Sequence, residues 1–255
     1  MGTVSQTSKG SDRIVPHGTL TKYYGSDSER SRYLRDLFDQ GSVHYDAINE
    51  LLSFGTGLRY RKDALKRSGL GEGMRVLDVA TGTGGVARAA AKVTGERGGV
   101  VGLDPSIGML IESRRRSPNP ATQAFGEALP FRDAAFNFLS MGYALRHLSD
   151  LLAAFSEYLR VLQPGGRVLI LEITPPRRRL AYWMLRIYMN NIIPVLVRMG
   201  TRSGAARTMM EYYWDTTANC VPPDTILSAM TRAGFVDVKR TITLGIFSEY
   251  SGARP

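Results

Sequence analysis

Residues 75–104, RVLDVATGTGGVARAAAKVTGERGGVVGLD, decide how the rest of the chain is organised. The apolar run over 75–79 predicts a buried strand, the adjacent glycines predict a tight turn, and a helix is expected after them. A second strand over 100–103 ends on Asp104. A β-α-β unit of this kind places backbone N–H groups at a helix N-terminus beside an acidic residue, which suits a ligand with a polar group and a ribose.

Two cofactors fit this unit. Gly82, Gly84 and Ala87 match the dinucleotide pattern G-x-G-x-x-G/A, and Asp104 lies at the spacing expected for a ribose-binding acid. Asp78, however, sits inside the first strand, where its carboxylate is expected to face the ligand from the floor of the cleft. That charge would repel a pyrophosphate, whereas it would attract the ammonium group of an amino acid.

S-adenosylmethionine has an amino-acid end and a nucleoside end, and it is therefore the predicted ligand. Asp78 is expected to hold the ammonium group, directly or through water, and Asp104 to accept hydrogen bonds from both ribose hydroxyls. The glycines let the backbone approach the cofactor closely. The alternative for Asp78 is that it only caps the turn. A dinucleotide-dependent oxidoreductase is the competing class of protein.

Composition favours a basic cytoplasmic protein with a single core. At 255 residues and 28.1 kDa, the chain is long enough for one large α/β domain, or for one domain with an appended helical lid. One cysteine, Cys220, leaves no pair for an intrachain disulfide and suits a reducing cytoplasm. The polar first residues lack the apolar run of a signal peptide, and residues 1–20 are expected to form a disordered tail.

The formal net charge of +10 suits an anionic partner such as nucleic acid, an acidic membrane surface or an anionic substrate. Arginines 114–116 and 177–179 form the two short basic clusters. No basic run interleaved with aromatic residues and no zinc-ligand spacing marks a nucleic-acid module. We therefore expect no nucleic-acid partner and assign no metal site. A peripheral membrane contact and a homodimer stay open.

Helical and strand patterns flank the Gly-rich unit. Residues 21–70 are predicted to form a helical cap of two or three short helices, broken at Gly41 and Ser42 and again over 53–57. Residues 71–255 are expected to form the core, in which strands and helices alternate as in a doubly wound, parallel α/β sheet. Within it, polar residues interrupt the apolar segment 177–214, so a helical lid is predicted rather than a membrane span. Packing of this lid over the cleft is favoured, and contact with a membrane surface is the alternative.

Five motifs occur in order: LDVATGTG, VGLDPSIGML, EALPF, YALRHLSD and LRVLQPGGRVLILEI. Together they resemble the class I S-adenosylmethionine-dependent methyltransferases. HYDAINELLSFG, ALRHLSD and IYMNNIIPVL are similar, more narrowly, to the ubiquinone/menaquinone biosynthesis C-methyltransferases. The resemblance covers about residues 30–250. It implies a seven-stranded, mostly parallel sheet with an antiparallel last strand, an N-terminal helical lid and a helical insertion after strand 5.

The resemblance also implies a cofactor site. It consists of Asp78, Ala80, Gly82, Gly84 and Asp104, with Met109 packing near the adenine. Ala80 stands where many methyltransferases have glycine, although the quinone methyltransferases share the alanine. Phe125 departs from the family, which often has Asp or Asn there to bind the adenine amine. Backbone groups near Gly126 and Glu127 are expected to make that contact instead.

Methyl transfer from a sulfonium requires orientation, exclusion of water and, for a carbon or oxygen acceptor, removal of a proton. Tyr143, Arg146 and His147 follow the fourth predicted strand and are expected to face the cleft. In the quinone methyltransferases this segment reads G-L-R-N, and its arginine is implicated in activating the ring hydroxyl. His147 replaces the asparagine. With a pKa near neutrality it could take a phenolic proton while Arg146 stabilises the oxyanion; alternatively, His147 only hydrogen bonds locally.

A second departure concerns the acceptor. The family segment Y-L-x-E-S-I corresponds here to 213–218, YWDTTA. The predicted function is methyl transfer from S-adenosylmethionine to a hydrophobic small molecule, above all C-methylation of a quinol-like or phenolic ring. The alternatives are O- or C-methylation of a secondary metabolite or other lipid, and a methyltransferase-like protein that transfers nothing. The expected location is the cytoplasm, with or without peripheral attachment to a membrane.

Overall fold

A seven-stranded sheet forms the middle layer of the computed structural model, which describes residues 13–52, 56–176, 178–195 and 204–255. Its strands are β1 (Arg75–Val79), β2 (Gly99–Asp104), β3 (Ala121–Gln123), β4 (Phe136–Gly142), β5 (Leu162–Ile173), β6 (Val236–Thr243) and β7 (Phe247–Ala253). Their order is β3-β2-β1-β4-β5-β7-β6, and β7 runs antiparallel to both β5 and β6. The predicted seven-stranded, mostly parallel α/β sheet is confirmed.

Helices flank this sheet and extend beyond it. They are α1 (Asp27–Leu52), α2 (Gly57–Arg67), α3 (Gly85–Thr94), α4 (Ile107–Arg116), α5 (Leu151–Val161), α6 (Arg179–Ile187), α7 (Gly204–Ala218) and α8 (Pro223–Arg232). A short π-helical turn, Tyr188–Ile192, continues α6. No helix in the described ranges is long and apolar enough to cross a membrane.

The central strands are apolar because both of their faces are covered. Successive side chains of a strand point to opposite faces. Leu77, Leu139 and Ile170 therefore pack in one cluster with α5 and α8. Their neighbours Val76, Phe138 and Leu169 pack in a second cluster with α2 and α3. This two-sided burial explains why the sequence of these strands reads as continuous apolar runs.

Helix α1 is continuous through Gly41 and Ser42, so the break predicted there is wrong. Gly41 allows close contact with α7, because a Cβ at this position would lie 2.8 Å from Sδ of Met209. Ser42 donates from Oγ to the Asp39 carbonyl at 2.9 Å within the helix. Packing against α7 thus overrides the low helix propensity of glycine. The second predicted break, over 53–57, falls largely on residues outside the described ranges.

Residues 13–20 differ from the disordered tail expected for them. The Leu151 N–H donates to the Ile14 carbonyl at 2.8 Å, and the Val221 N–H donates to the Pro16 carbonyl at 2.7 Å. His17 is buried. These bonds join sequence-distant loops, which a polar sequence does not reveal. The rest of the expected tail, residues 1–12, lies outside the described ranges.

Helices α6 and α7 form the predicted insertion after β5. Side chains of α7 pack with α1 and the preceding segment in a third apolar cluster, whose buried members include Leu37, Met209, Met210, Tyr212 and Trp214. Helix α7 is therefore packed against α1 of the N-terminal cap. Helix α6 has no buried residue of its own.

Substitution of Gly108 by alanine tests the contact between α1 and α4. A Cβ at Gly108 would lie 2.9 Å from the backbone of Asp39. We expect Gly108→Ala to lower the free energy of unfolding by about 1–3 kcal/mol in urea denaturation, despite the better helix propensity of alanine. Gly99→Ala is the control, since no atom lies within 4 Å of its Cβ. Equal effects of the two variants would contradict this contact.

Candidate active site

A cavity of about 360 Å³ opens at the carboxyl ends of β1, β2 and β4. Helix α1 forms its outer wall through Leu34, Phe38 and Tyr45. Nine of the twelve residues that the sequence suggested for the site line it: Ala80, Gly82, Asp104, Met109, Phe125, Gly126, Glu127, Tyr143 and His147. The other three, Asp78, Gly84 and Arg146, lie behind its walls.

The Gly-rich turn between β1 and α3 needs left-handed backbone. Ala80, Gly82 and Gly84 have φ values of 52°, 56° and 82°. Gly82 belongs to the cavity wall, whereas Gly84 precedes α3 as its N-cap. A Cβ on Gly84 would lie 2.7 Å from Ser113 Oγ. Gly84 therefore serves the packing of α3 against α4 rather than direct contact with a ligand.

Asp104 joins the turns that follow β1 and β2. Its Oδ2 accepts from the Gly82 N–H at 2.8 Å, and its Oδ1 accepts from the Ser106 N–H at 2.9 Å. Burial raises the pKa of this carboxyl to about 6, against the lowering effect of both N–H donors, and nearby Asp78 and Asp39 add to the rise. Each oxygen keeps acceptor capacity on the cavity side, which suits a pair of ribose hydroxyls.

Asp78 lies beneath the turn instead of in the cavity wall. Its Oδ1 accepts from Ser140 Oγ at 2.6 Å and its Oδ2 from Thr81 Oγ1 at 2.7 Å. Burial raises the pKa of Asp78 to about 6, opposed by these two hydroxyl donors. Asp78 does not line the cavity, and this geometry favours the turn-capping alternative.

Sequence reasoning missed the contact between Asp39 of α1 and the turn after β2. Asp39 Oδ1 accepts from Ser106 Oγ at 2.5 Å and from the Gly108 N–H at 2.9 Å. Ser106 Oγ in turn caps α4 by accepting from the Met109 N–H at 3.1 Å. Ser106 reads as an N-cap in the sequence. Its partner Asp39 gave no signal because 67 residues separate the two.

A second, more polar cavity of about 240 Å³ shares Tyr45, Ala80, Gly82 and Tyr143 with the first. Arg61 of α2 lines it, and the Arg61 Nε atom is buried without a hydrogen-bond partner. Among the described residues, no carboxylate forms an ion pair with Arg61. A half-buried guanidinium of this kind beside the Gly-rich turn suits an anionic group such as the carboxylate of an amino acid.

The turn after β3 supplies the other end of the larger cavity. Phe125 is 44% exposed at its mouth, with the Arg35 guanidinium 6.0 Å from the ring centre. Glu127 uses Oε1 to accept from the Ser149 N–H and hydroxyl, at 2.5 and 2.8 Å. The Glu127 side chain is therefore committed to the turn after β4. Met109, almost completely buried in the same wall, offers an apolar surface.

Tyr143 lines both cavities. It has a φ of 61°, and its N–H donates to the Leu171 carbonyl at 2.7 Å, which fixes the sharp end of β4. Burial raises the pKa of the Tyr143 phenol to about 12. Tyr143 therefore keeps its proton and serves as an aromatic wall and a hydrogen-bond donor, not as a base.

Arg146 is buried behind Tyr143 in an ion pair that the sequence did not suggest. Its Nη1 donates to Glu172 Oε1 at 2.6 Å and to the Tyr143 carbonyl at 2.7 Å. Burial would lower the pKa of Arg146, but Glu172 outweighs it and the net pKa is raised, so Arg146 stays cationic. Because Arg146 does not line the cavity, it holds the turn in place rather than stabilising an oxyanion as expected.

The altered segment 213–218 surrounds this same arginine. Tyr213 places its ring 4.0 Å from the Arg146 guanidinium, and Thr216 Oγ1 accepts from Arg146 Nε at 3.1 Å. Thr216 stands where the family pattern has Glu. Glu172 is therefore the one carboxylate paired with Arg146 among the described residues.

His147 lies between two aromatic rings, 5.3 Å from that of Phe38 and 5.7 Å from that of Tyr212. Its Nδ1 is buried without a hydrogen-bond partner. Burial lowers its pKa well below the ordinary value, and the charges of Arg146 and Arg30 lower it further. The expected pKa near neutrality is wrong, because burial disfavours the charged imidazole and the neighbouring guanidinium groups repel it.

S-adenosylmethionine fits the two joined cavities by the chemistry of their walls. Asp104 offers acceptors for a ribose, Met109 an apolar surface for a base, and Arg61 a cation for a carboxylate. The strand order, the Gly-rich turn after β1 and the acid at the end of β2 define the class of S-adenosylmethionine-dependent methyltransferases.

The comparisons agree with this class and narrow it. Phosphoethanolamine N-methyltransferase 2 of Haemonchus contortus, solved with S-adenosyl-L-methionine, has a similar fold at a TM-score of 0.60 and 18% identity, over 87% of this chain and 60% of that one. The model of the ubiE/COQ5 methyltransferase family matches residues 26–254. The chain belongs to that family, its methyl donor is S-adenosylmethionine, and the predicted class and cofactor are confirmed.

Curated relatives extend over most of the chain. The ubiquinone/menaquinone biosynthesis C-methyltransferase UbiE of Geobacter sulfurreducens is 35% identical over 235 residues, covering 89% of this chain and 90% of that protein. A demethylmenaquinone methyltransferase of Symbiobacterium thermophilum is 31% identical over 239 residues, covering 90% and 95%. The likeness thus includes the N-terminal cap and the insertion as well as the sheet.

Binding of S-adenosylhomocysteine should depend on the ionisation of Asp104. If the ionised carboxylate accepts from both ribose hydroxyls, affinity should rise with pH up to the pKa of about 6 and level off above it. Below that pKa the slope should approach tenfold per pH unit. Isothermal titration from acidic to neutral pH measures this, with Asp104→Asn as the control that lacks the titrating group. An equal slope in the control would contradict the role of Asp104.

Removing one partner of the Arg146–Glu172 pair should destabilise the fold strongly. Both side chains are almost completely buried, with 1% of Arg146 and 3% of Glu172 exposed. We expect Glu172→Met and Arg146→Met each to cost about 3–5 kcal/mol in urea denaturation, because each leaves a buried charge unpaired. The double variant should be more stable than the sum of the two losses predicts. Strict additivity would contradict a direct ion pair.

Proposed function

We propose that the chain transfers the methyl group of S-adenosylmethionine to a ring carbon of a hydrophobic quinol or phenol. The observation that carries the proposal is His147, a neutral imidazole with an unpartnered Nδ1 in an aromatic cavity wall that includes Phe38, Tyr45 and Tyr143. Such a wall suits a flat ring with one hydroxyl to be bound. The relatives named as quinone methyltransferases point to the same class of acceptor.

The cofactor supplies an electrophilic methyl group, and the C–S electron pair stays on sulfur as ring π electrons form the new C–C bond. His147 holds the ring hydroxyl through Nδ1 and takes its proton as positive charge develops on the ring. A weak base suffices, because that charge makes the hydroxyl strongly acidic. The C–H proton is then lost to water and the imidazole returns its proton to the oxygen, which restores the aromatic ring, its hydroxyl and the neutral His147. Tyr45 and Tyr143 orient the ring and exclude water.

Arg146 acts on this step through its neighbours. Its guanidinium holds the carbonyl of Tyr143, which sets the turn from Tyr143 to His147. Together with burial, which is the larger cause, its charge lowers the pKa of His147, so the imidazole is neutral and able to accept a proton. We assign Arg146 a positioning role, with Glu172 as the group that fixes it.

We further propose that the protein meets its acceptor at a membrane surface on the cytoplasmic side. A quinol with a long apolar substituent partitions into the bilayer, so the enzyme has to reach it there. The basic surface of the chain, with its net charge of +10, supports contact with anionic lipid.

The test of the acceptor uses S-adenosylmethionine with an isotope-labelled methyl group and a short-chain demethylmenaquinol, kept reduced. We expect nuclear magnetic resonance of the product to show the label bonded to a ring carbon. Label on oxygen would replace the proposal by O-methylation. Transfer to unrelated metabolites in a cell extract, with none to the quinol, would place the acceptor outside the quinols.

Substitution of His147 separates base chemistry from cofactor binding. We expect His147→Phe to lower kcat about 100-fold or more while the KM for S-adenosylmethionine stays near that of the wild type. His147→Asn keeps a hydrogen-bond acceptor and should retain more activity. His17→Asn is the control. Because the pKa of His147 lies well below 6.5, kcat of the wild type should show no inflection near 6.5; such an inflection, lost in His147→Asn, would overturn the neutral-imidazole account.

A further inference from the structure

Helix α6 turns a large apolar face to solvent. Leu180, Trp183 and Met184 are 75%, 62% and 64% exposed, and Ile187 on the next turn is also exposed. Their spacing of three and four residues places them on one side of the helix. Beyond the π-helical turn, Ile192 and Val195 extend the exposed apolar surface. Contiguous apolar surface of this size marks an interaction site.

The opposite side of the same segment anchors it to α7 and α1. Tyr182, Leu185 and Met189 pack in the cluster of α7 and α1, and the Tyr182 ring lies 5.9 Å from that of Trp214. Tyr213, which immediately precedes Trp214 in α7, contacts the Arg146 guanidinium with its ring. The exposed face is therefore the outer surface of the lid, held in a fixed orientation over the catalytic turn.

Charge indicates what covers this face. Arg178, Arg179 and Arg186 are exposed on the segment, and residues 178–195 contain no Asp or Glu. A second copy of the chain docked through the same face would bring like charges together. An anionic lipid surface instead complements the arginines, accepts the aliphatic side chains below its headgroups and places Trp183 at the depth that tryptophan prefers.

We propose that the outer face of α6 and the π-helical turn, from Leu180 to Val195, docks onto an anionic lipid bilayer. The proposal rests on the peripheral location given above and assigns the surface that provides it. Docking on this face brings α7, which contacts Arg146 through Tyr213 and Thr216, close to the bilayer.

Vesicle sedimentation tests the face with matched variants. The probes are vesicles of phosphatidylcholine with about one-third phosphatidylglycerol, and of phosphatidylcholine alone. We expect the wild type to prefer the anionic vesicles and Leu180→Glu/Met184→Glu to lose at least tenfold in partitioning. Leu244→Glu is the apolar control, because Leu244 is 82% exposed in the turn between β6 and β7, away from the lid.

The arginines have their own pair of variants. Arg179→Glu/Arg186→Glu should lower partitioning onto the anionic vesicles by roughly tenfold or more, because each basic residue near the surface contributes about fivefold. Arg59→Glu, at a position with 90% of its side chain exposed on α2, should change little. Equal losses in Arg59→Glu would mean that net charge alone attracts the protein, and would overturn the assignment of this face.

Fluorescence reports on the insertion directly. The chain has two tryptophans, of which Trp214 is already buried. Anionic vesicles should shift the emission of the wild type to the blue, and Trp183→Phe should abolish the shift. An unchanged shift in Trp183→Phe would contradict the proposal.

Two further outcomes would overturn it: absence of vesicle binding by the wild type, and a dimer in light scattering that Leu180→Glu/Met184→Glu converts to monomer. The second would assign the face to another copy of the chain. Methyl transfer to the short-chain quinol in free solution should be unchanged in this variant, so failure of docking and failure of the proposed reaction are distinguishable.

Discussion

The buried carboxylate of Asp104 holds together the loops from which the site is built. It accepts from the Gly82 N–H on the turn after β1 and from the Ser106 N–H on the turn after β2. The Ser106 hydroxyl in turn donates to Asp39 of α1, and this hydrogen bond links the N-terminal cap to the same turn. Because a carboxylate accepts several hydrogen bonds at once, one side chain positions two loops and keeps acceptor capacity for a ribose. Burial makes this arrangement costly unless all of these donors are present.

Electrostatics of a different kind govern the catalytic turn. Arg30 and Arg146 are buried within one hydrogen-bonded network, in which Arg30 donates to the Arg146 carbonyl at 3.0 Å, while Glu172 is the carboxylate that pairs with Arg146. The imidazole of His147 beside them is held neutral. An imidazole that is to accept a proton from a polarised hydroxyl has to be unprotonated beforehand, and these surroundings favour that state. In the proposed reaction the ion pair serves by fixing the turn from Tyr143 to His147, while burial and the neighbouring guanidinium groups keep the imidazole neutral.

The sequence revealed those parts of the structure that depend on neighbours along the chain. Periodicity and turn residues in 75–104 were enough for the β-α-β unit and for Asp104, only 22 residues from Gly82. Contacts between distant segments could not be predicted: Gly41 packs against Met209, and Asp39 accepts from Ser106. The Arg146–Glu172 pair spans only 26 residues, and it was missed because the sequence does not show which buried charges meet. Asp78 and Arg146 were identified as important, yet their side chains lie behind the cavity walls, because residue type and strand position do not determine which hydroxyl or carboxylate captures a buried charge. Arg61 carried no motif, and only its unpartnered Nε in the polar cavity identifies it.

A crystal structure with S-adenosylhomocysteine tests the central claim, that the two joined cavities hold the methyl donor around Asp104, most directly. We expect both ribose hydroxyls at about 2.5–2.7 Å from the Asp104 carboxylate oxygens. The amino-acid carboxylate should lie in the polar cavity beside Arg61, and the sulfur should face the aromatic wall that contains His147. A nucleoside bound away from Asp104, or an amino-acid end pointing out through the mouth beside Phe125, would contradict the account.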